Sequence, residues 1–235
     1  MNAFSDRVAA NVLPCSHSQS LPDALKEWSV TDAMIDHEHA TETCELCDHE
    51  ALRYQYEIAN ASTRRTLWVG SSCILKFGVS VRENGVVLSR KNAERKLERL
   101  LQTTRHATCI RSLEKLAQSD NDQRLVGALA YYRKNKYLSP KYAFMVLWRL
   151  QVEKIDHSPS FFKISLRRSQ HKDDLRAMQL SKVQLIWPAL TSSQRTTAIA
   201  MGHRPPPPPV PLDPKPLPLP PLHLSPLPLP PLPRL

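Results

Sequence analysis

Two cysteines separated by two residues, with a third brought back toward them by a hairpin, constrain this chain more than any other feature. The pair lies in Cys44-Glu45-Leu46-Cys47, and the third is Cys73. Between them run Arg53-Tyr54-Gln55-Tyr56-Glu57-Ile58, a turn at Asn60-Ala61-Ser62-Thr63, and a return run, Thr66-Leu67-Trp68-Val69. Tyr54, Tyr56 and Ile58 alternate with Arg53, Gln55 and Glu57, which is the period of a half-buried strand. The turn has the residues that bend a chain by side-chain hydrogen bonding. Gly70 and two serines then tighten the chain before Cys73, where Ser72 is expected to cap a helix. Thiolates are strong zinc ligands, and two on one tight knuckle can hold a tetrahedral ion together with a third. Knuckle, hairpin and helix come in the order of a treble-clef zinc finger.

Three thiolates leave one tetrahedral position to fill. A treble clef draws two ligands from the start of its helix, but here Ser72 and Phe77 flank Cys73 and neither replaces a thiolate. Histidines stand nearby. His39, five residues before Cys44, is the preferred fourth ligand, because that spacing lets it reach back without strain. His37 is close behind it. His49 competes from beside Cys47 in a tighter geometry. Cys15, His17, His106 and Cys109 are more remote alternatives.

Five cysteines, two of them at metal-like spacing, favour zinc in a reducing compartment over a disulfide framework. A redox role for Cys44 and Cys47 is disfavoured, since the pair does not sit between a buried strand and a helix. No apolar run is long enough to span a membrane, and the first ten residues lack the apolar stretch of a secretory signal. A cytoplasmic protein is expected.

The formal net charge of +10 conceals an asymmetry. Residues 1–50 contain ten acidic residues against Arg7 and Lys26. The excess of positive charge therefore falls on residues 51–204, and a basic body of this kind suits an anionic partner such as nucleic acid. The basic residues form three runs. One is Arg90, Lys91, Arg95, Lys96 and Arg99; a second is Arg133, Lys134 and Lys136, beside Tyr131, Tyr132 and Tyr137; a third is Lys163, Arg167 and Arg168, after Phe161-Phe162. Lysine and arginine supply phosphate contacts, and exposed aromatics can stack on unpaired bases. At least one aromatic of each adjacent pair is expected in the core instead. No recognition-helix signature appears, so sequence-specific readout is not expected.

The remaining pattern is helical. Leu97, Leu100 and Leu101 follow helix spacing, Ile110, Leu113 and Leu116 continue it after an expected break at Thr103–His106, and Leu125, Val126, Leu129 and Tyr132 form another stripe. Ser139-Pro140 is a cap followed by a first-turn proline, opening the apolar helix Tyr142–Trp148. Asp173–Ile186 reads as one helix stopped near Pro188, and Thr191-Ser192-Ser193-Gln194 as a capping box opening a last one. From Pro205 onward, 16 of 31 residues are proline, which rules out a helix or sheet core and suits a disordered polyproline tail. Such a tail could bind an aromatic-lined groove of a protein partner.

The expected architecture is mainly α, with a small zinc-bound, treble-clef-like β-hairpin lobe near the N-terminus. It divides into a loosely ordered acidic lead-in (1–36) with one short helix candidate, Asp23–Trp28 opened by Pro22, the zinc lobe (37–80), a basic helical domain (81–204) and the proline/leucine-rich tail (205–235). The expected function is a non-catalytic, zinc-stabilised nucleic-acid-binding accessory protein, with DNA and RNA equally open. Its site residues are Cys44, Cys47, Cys73 and His39 for the metal and the three basic runs for nucleic acid. A protein-interaction adaptor using the zinc lobe and the tail is the alternative. A metal-dependent nuclease built on Asp36, His37, Glu38 and His39 is weaker: these neighbours point apart on a helix, and no H-E-x-x-H, P-loop or nucleophile-elbow motif is present. Cys109 and His106, three apart, make a weak nucleophile pair, better read as a buried thiol beside a surface imidazole.

One stretch carries a resemblance. His37-x-His39-x4-Cys44-Glu45-Leu46-Cys47, then Arg53-Tyr54, Ile58-x-Asn60-x-x-Thr63, Leu67-Trp68-Val69-Gly70-Ser71-x-Cys73-Ile74 and Phe77, resembles a zinc-finger-like module of poorly characterised proteins from bacterial phages, plasmids and integrated elements. It covers residues 37–78. The resemblance implies a bacterial or phage cytoplasmic protein and a zinc site, and it implies no reaction.

Overall fold

The computed structural model describes residues 3–208 of the 235. The expected proline-rich tail lies outside the described residues from position 209 onward. Within them the molecule is mostly helical, with a small sheet near the N-terminus and two hydrophobic cores.

The first core begins earlier than the sequence suggests. Helices α1 (Ala3–Val12) and α2 (Leu21–Lys26) lead into strand β1 (Trp28–Asp36). Val8, Val12, Ala24 and Trp28 are completely buried, so the segment expected to be a loose lead-in forms one wall of this core. The reason lies in side-chain spacing: Val8 and Val12 share one helix face, and the Trp28 indole N–H finds a partner in Ser16 Oγ at 2.9 Å. Strands β2 (Tyr54–Asn60) and β3 (Thr66–Val69) complete an antiparallel sheet in the order β1-β2-β3, with Trp28 opposite Asn60 and Ile58 opposite Leu67. The expected hairpin is therefore two-thirds of a three-stranded sheet. Its turn is built by Asn60, whose Oδ1 accepts the N–H groups of Ser62 and Thr63 at 2.8 and 3.0 Å.

The β1–β2 register shifts between Val30 and Met34, and Asp32 there adopts a left-handed backbone with φ 73°. A bulge of this kind re-aims a side chain. Here Asp32 pairs with Lys96 at 2.6 Å. Helix α3 (Ser71–Lys76) follows the sheet, capped by Gly70, two residues before Ser72, the serine expected to do so. Gly78, at φ 64°, then turns the chain so that the Val79 N–H reaches the Ile74 carbonyl. Asn84-Gly85, both left-handed, joins the two-residue strands β4 (Arg82–Glu83) and β5 (Val86–Val87).

Helix α4 runs from Arg90 to Ser119 without the expected break at Thr103–His106. No glycine or proline interrupts it. Thr103 returns its hydroxyl to the Arg99 carbonyl at 2.9 Å, and His106 packs among aromatic rings, so polar residues are accommodated within the helix. The helix is about 45 Å long at 1.5 Å per residue. Ala93 and Leu97 near its start belong to the first core, whereas Cys109, Leu113 and Ala117 belong to the second.

The second core is helical. Helix α5 (Gln123–Asn135) is capped by Asp122, and α6 (Pro140–Val152) by Ser139 with Pro140 in its first turn, as the sequence predicts. The helix expected over 173–186 is two helices, α7 (Ser169–Arg176) and α8 (Leu180–Ile186), because Gln179 turns extended (φ −60°, ψ 145°) between them. No glycine or proline announces that turn. Helix α9 (Ser192–Ala200) opens with the predicted capping box of Thr191 and Gln194. Leu125, Leu138, Val146, Leu150, Leu175 and Ile186 are completely buried in this cluster. Among the described residues, no helix is long and apolar enough to cross a membrane.

Candidate functional site

The three cysteines of the sequence motif meet in the first core. All are buried, and their sulfurs lie within 4.8 Å of one another, 3.7 Å between Cys44 and Cys73 and 3.1 Å between Cys73 and Cys47. A tetrahedral zinc with bonds of about 2.3 Å separates its sulfurs by about 3.8 Å, so the cluster needs only a small outward adjustment to take the ion. Among the described residues this is the grouping of three or more metal-ligand side chains.

Local backbone structure explains the convergence. The Cys44 carbonyl accepts the N–H groups of Cys47 and Asp48, at 3.2 and 2.8 Å, which closes the knuckle. The Cys44 N–H donates to the His49 carbonyl at 2.8 Å, which closes the loop behind it. Glu45 ties the knuckle to the return strand: its carboxylate accepts the Trp68 N–H, and its own N–H reaches the Trp68 carbonyl at 3.0 Å. Cys73 arrives on the first turn of α3. The Gly70 N–H there points at the Cys44 sulfur at 3.5 Å, the kind of outer contact that orients a metal-binding thiolate.

The electrostatics favour a thiolate at one sulfur. Its hydrogen bond with Cys73 lowers the Cys44 thiol to about 5, against the effect of burial, with the Gly70, Leu46 and Cys47 N–H groups adding to the fall. Cys73 moves the opposite way, raised by its hydrogen bond with Cys44 and by burial.

The histidines divide. His39 is exposed on the link after β1 and stands outside the three-sulfur group. His37 is held elsewhere, its Nε2 3.0 Å from Gln55 Oε1 and its Nδ1 3.8 Å from Glu42. Gln55 is buried, and its amide also donates to the Thr43 carbonyl at 2.9 Å, fastening the link to β2. His49 also stands outside the three-sulfur group, but it borders the same cavity, about 430 Å³, that all three cysteines line. Asp36, the carboxylate of the nuclease reading, is engaged by Arg53 at 2.8 Å. Burial pushes that carboxyl up, but the bonds from Arg53 and the Glu38 N–H outweigh it and leave it below its ordinary range. His106 and Cys109 make no nucleophile pair. Burial pushes the Cys109 thiol up to about 12 and the imidazole down, so the sulfur is an inert core group.

The basic residues divide as well. Lys96 is buried between Asp32 and the Arg82 carbonyl, Arg99 meets Glu83 at 2.8 Å, Arg90 meets Glu94 at 3.4 Å, and Arg133 pairs with Glu114. Lys91, Arg95, Lys134, Arg167 and Arg168 are exposed. Lys136 and Lys163 come together at one cleft of about 620 Å³, which Gln102, His106, Tyr132 and Phe161 also line. The cause is a backbone bridge: the Leu138 N–H donates to the Lys163 carbonyl at 2.8 Å, and the Ser165 N–H to the Leu138 carbonyl at 3.0 Å. Lys136 itself ends α5 in a left-handed conformation, φ 61°, a place that glycine or asparagine usually takes.

The sequence reading did not single out Asp156. Its carboxylate receives Arg105 at 2.7 Å, Arg53 at 3.2 Å and the Tyr54 hydroxyl at 3.3 Å, joining β2 to the helical part of the molecule. A lone aspartate in Lys154-Ile155-Asp156-His157 gives no signal of this role, because its partners lie far away in sequence. No family model, curated protein or solved structure matches this chain.

Proposed function

We propose that this protein is a non-catalytic nucleic-acid-binding accessory factor, of the kind carried by bacterial phages and mobile elements, whose N-terminal region is stabilised by a structural zinc ion. The observation that carries the nucleic-acid reading is the cleft shared by Lys136 and Lys163. Two basic runs separated in sequence supply one cation each, Gln102, Thr103, Ser158 and Ser160 add hydrogen-bonding groups beside them, and the one carboxylate on the rim, Glu98, is engaged by the Gln102 amide at 2.7 Å. That combination suits a phosphate backbone, where charge fixes position without reading sequence. Of the aromatic rings bordering the cleft, Tyr132 is half-buried and Phe161 is buried against His106, so phosphate contact rather than base stacking carries the reading.

Zinc is the metal that fits three buried thiolates: Cys44, Cys47 and Cys73 would hold it, and its contribution would be a cross-link between the knuckle and α3. With these ligands no reaction is assigned to it.

The test is a binding titration against single- and double-stranded DNA and RNA at several salt concentrations. Affinity should fall steeply with salt, because each neutralised phosphate releases counterions. Lys136→Ala with Lys163→Ala should weaken binding about tenfold or more and reduce the salt slope by about 2, near one per lost phosphate contact. Lys96→Ala should act on stability instead, since it leaves Asp32 unpaired.

A second reading, the protein-interaction adaptor, has its own observation. Tyr142, Phe144, Met145, Trp148 and Met178 line a largely apolar groove, and Trp148 is 44% exposed. If no nucleic acid binds even at about 50 mM salt, where electrostatic binding is strong, this reading leads.

A further inference from the structure

We infer that His49 supplies the fourth ligand of the metal centre, so that the site is Cys44, Cys47, Cys73 and His49 rather than a set completed by His37 or His39. The inference rests on the metal reading and deepens it.

One cavity, about 430 Å³, is bordered by all three cysteines, and His49 is the imidazole on its rim. The other side chains bordering it offer no imidazole, thiol or carboxylate. His49 also borders a second cavity, with Arg7, Cys47, Asp48 and Glu50, so it shares both cavities with Cys47. The ring is exposed, which leaves it free to turn inward.

Backbone geometry adds a second, independent reason. His49 is fixed to the knuckle by its own carbonyl, which accepts the Cys44 N–H at 2.8 Å. Left-handed residues bracket it, Asp48 at φ 57° and Ala51 at φ 61°. Asn11 on α1 anchors Asp48, its Nδ2 3.0 Å from Oδ1. The loop is thus folded back beside the sulfurs, which overcomes the tightness of coordination from a residue so near Cys47. His37 lacks this freedom, since it is held by Gln55 and faces Glu42. His39 lies on the exposed link and borders neither cavity.

The chemistry matches the geometry. Three thiolates and one neutral imidazole form a common structural zinc set, and they close the tetrahedron without leaving water on the ion. The net charge of such a centre is −1, against −2 for a four-thiolate site.

The experiment is cobalt substitution of the reduced full-length protein, followed by absorption spectroscopy. Sulfur-to-cobalt charge transfer counts thiolates, and the visible ligand-field bands report the fourth ligand. Wild type should show a three-thiolate, one-nitrogen tetrahedral spectrum. His49→Ala should keep the charge-transfer intensity but shift and weaken the visible bands. Its metal affinity should drop roughly 100-fold or more, since losing even an outer-shell partner costs about 10- to 100-fold. His49→Cys should raise charge transfer by about a third, from three thiolates to four, a gain that misfolding cannot imitate. His37→Ala and His39→Ala should leave the spectrum unchanged. A wild-type thiolate spectrum that neither His49 variant alters would overturn the assignment and leave the metal reading intact. A wild-type protein with no charge-transfer band would remove both.

Discussion

The two cores solve the same problem with different materials. The helical core, from the second half of α4 to α9, is filled by leucine, isoleucine, valine and aromatic side chains from six helices and the segments that connect them. The N-terminal core has three strands, short helices and the start of α4, and its buried cluster includes three cysteine sulfurs together with Leu46, Tyr56, Val69 and Ile74. Apolar burial of about 25 cal/mol per Å² serves a long helix well, because every turn adds area. Short strands add less, and a small core of this kind is commonly fastened by a cross-link. The difference teaches where each half is vulnerable: one to cavities, the other to loss of its cysteine centre.

The largest break in that comparison should come from Cys73→Ser or from a strong chelator. Structural zinc contributes apparent free energies of about 10–16 kcal/mol in small zinc-finger peptides, so removal should open the N-terminal region locally. Hydrogen exchange resolved by peptide should show β1–β3 and α3 losing protection while α5–α9 keep theirs. Equal loss in both regions would mean the two cores melt together. The converse substitution, Leu150→Ala, removes a completely buried side chain from the helical core and should cost about 2–5 kcal/mol by denaturant titration. Metal affinity should stay the same.

A smaller effect sits at the seam. Asp156 is partly exposed, so Asp156→Asn should cost only about 0.5–1 kcal/mol. The hydrogen bond from Arg105 is the largest influence on this carboxyl and, against burial, holds it below its ordinary range. A carboxyl lowered in this way stabilises the folded state fully above the ordinary value of about 3.9, and the contribution fades as pH falls through the lower folded-state value. Acid titration of wild type and Asp156→Asn should converge there; a constant difference down to strong acid would remove Asp156 from the seam. The smallest effect is expected from deleting residues 209–235. Both cores as described are assembled from residues before that point, so the melting temperature should move by no more than a degree or two. A large drop would show that these residues contribute to one of them.

Elements announced by local chemistry were legible in the sequence. Ser139-Pro140 and the Thr191–Gln194 box each open a helix where expected, because a cap is an interaction between residues two or three apart. The convergence of Cys44, Cys47 and Cys73 was legible for the same reason: a knuckle and a hairpin carry it. What the sequence concealed depends on distant partners. Strand β1 is interrupted by its bulge, so its alternation is lost over Thr31–Ala33, and its pairing with β2 spans the entire cysteine knuckle. Lys96 reads as a surface cation until Asp32 is seen opposite it. The Asn84-Gly85 hairpin was a different matter, since its signal was present in the sequence and simply short.

Helix α4 has a consequence for how the molecule recovers from damage. Starting a helix is the unfavourable step, with a nucleation factor of about 10⁻³, whereas lengthening one is nearly free. Because the helical core holds the C-terminal half of α4, a molecule that has lost its N-terminal core still carries a finished helical end. Residues 90–101 can then regrow by propagation, one hydrogen bond at a time, with no new nucleus to form. Ala93 and Leu97 return to place in that process and present the sheet with a ready surface. On the proposed metal reading, the long helix would act as a memory of the fold, so that losing the ion would not return the chain to its unfolded state.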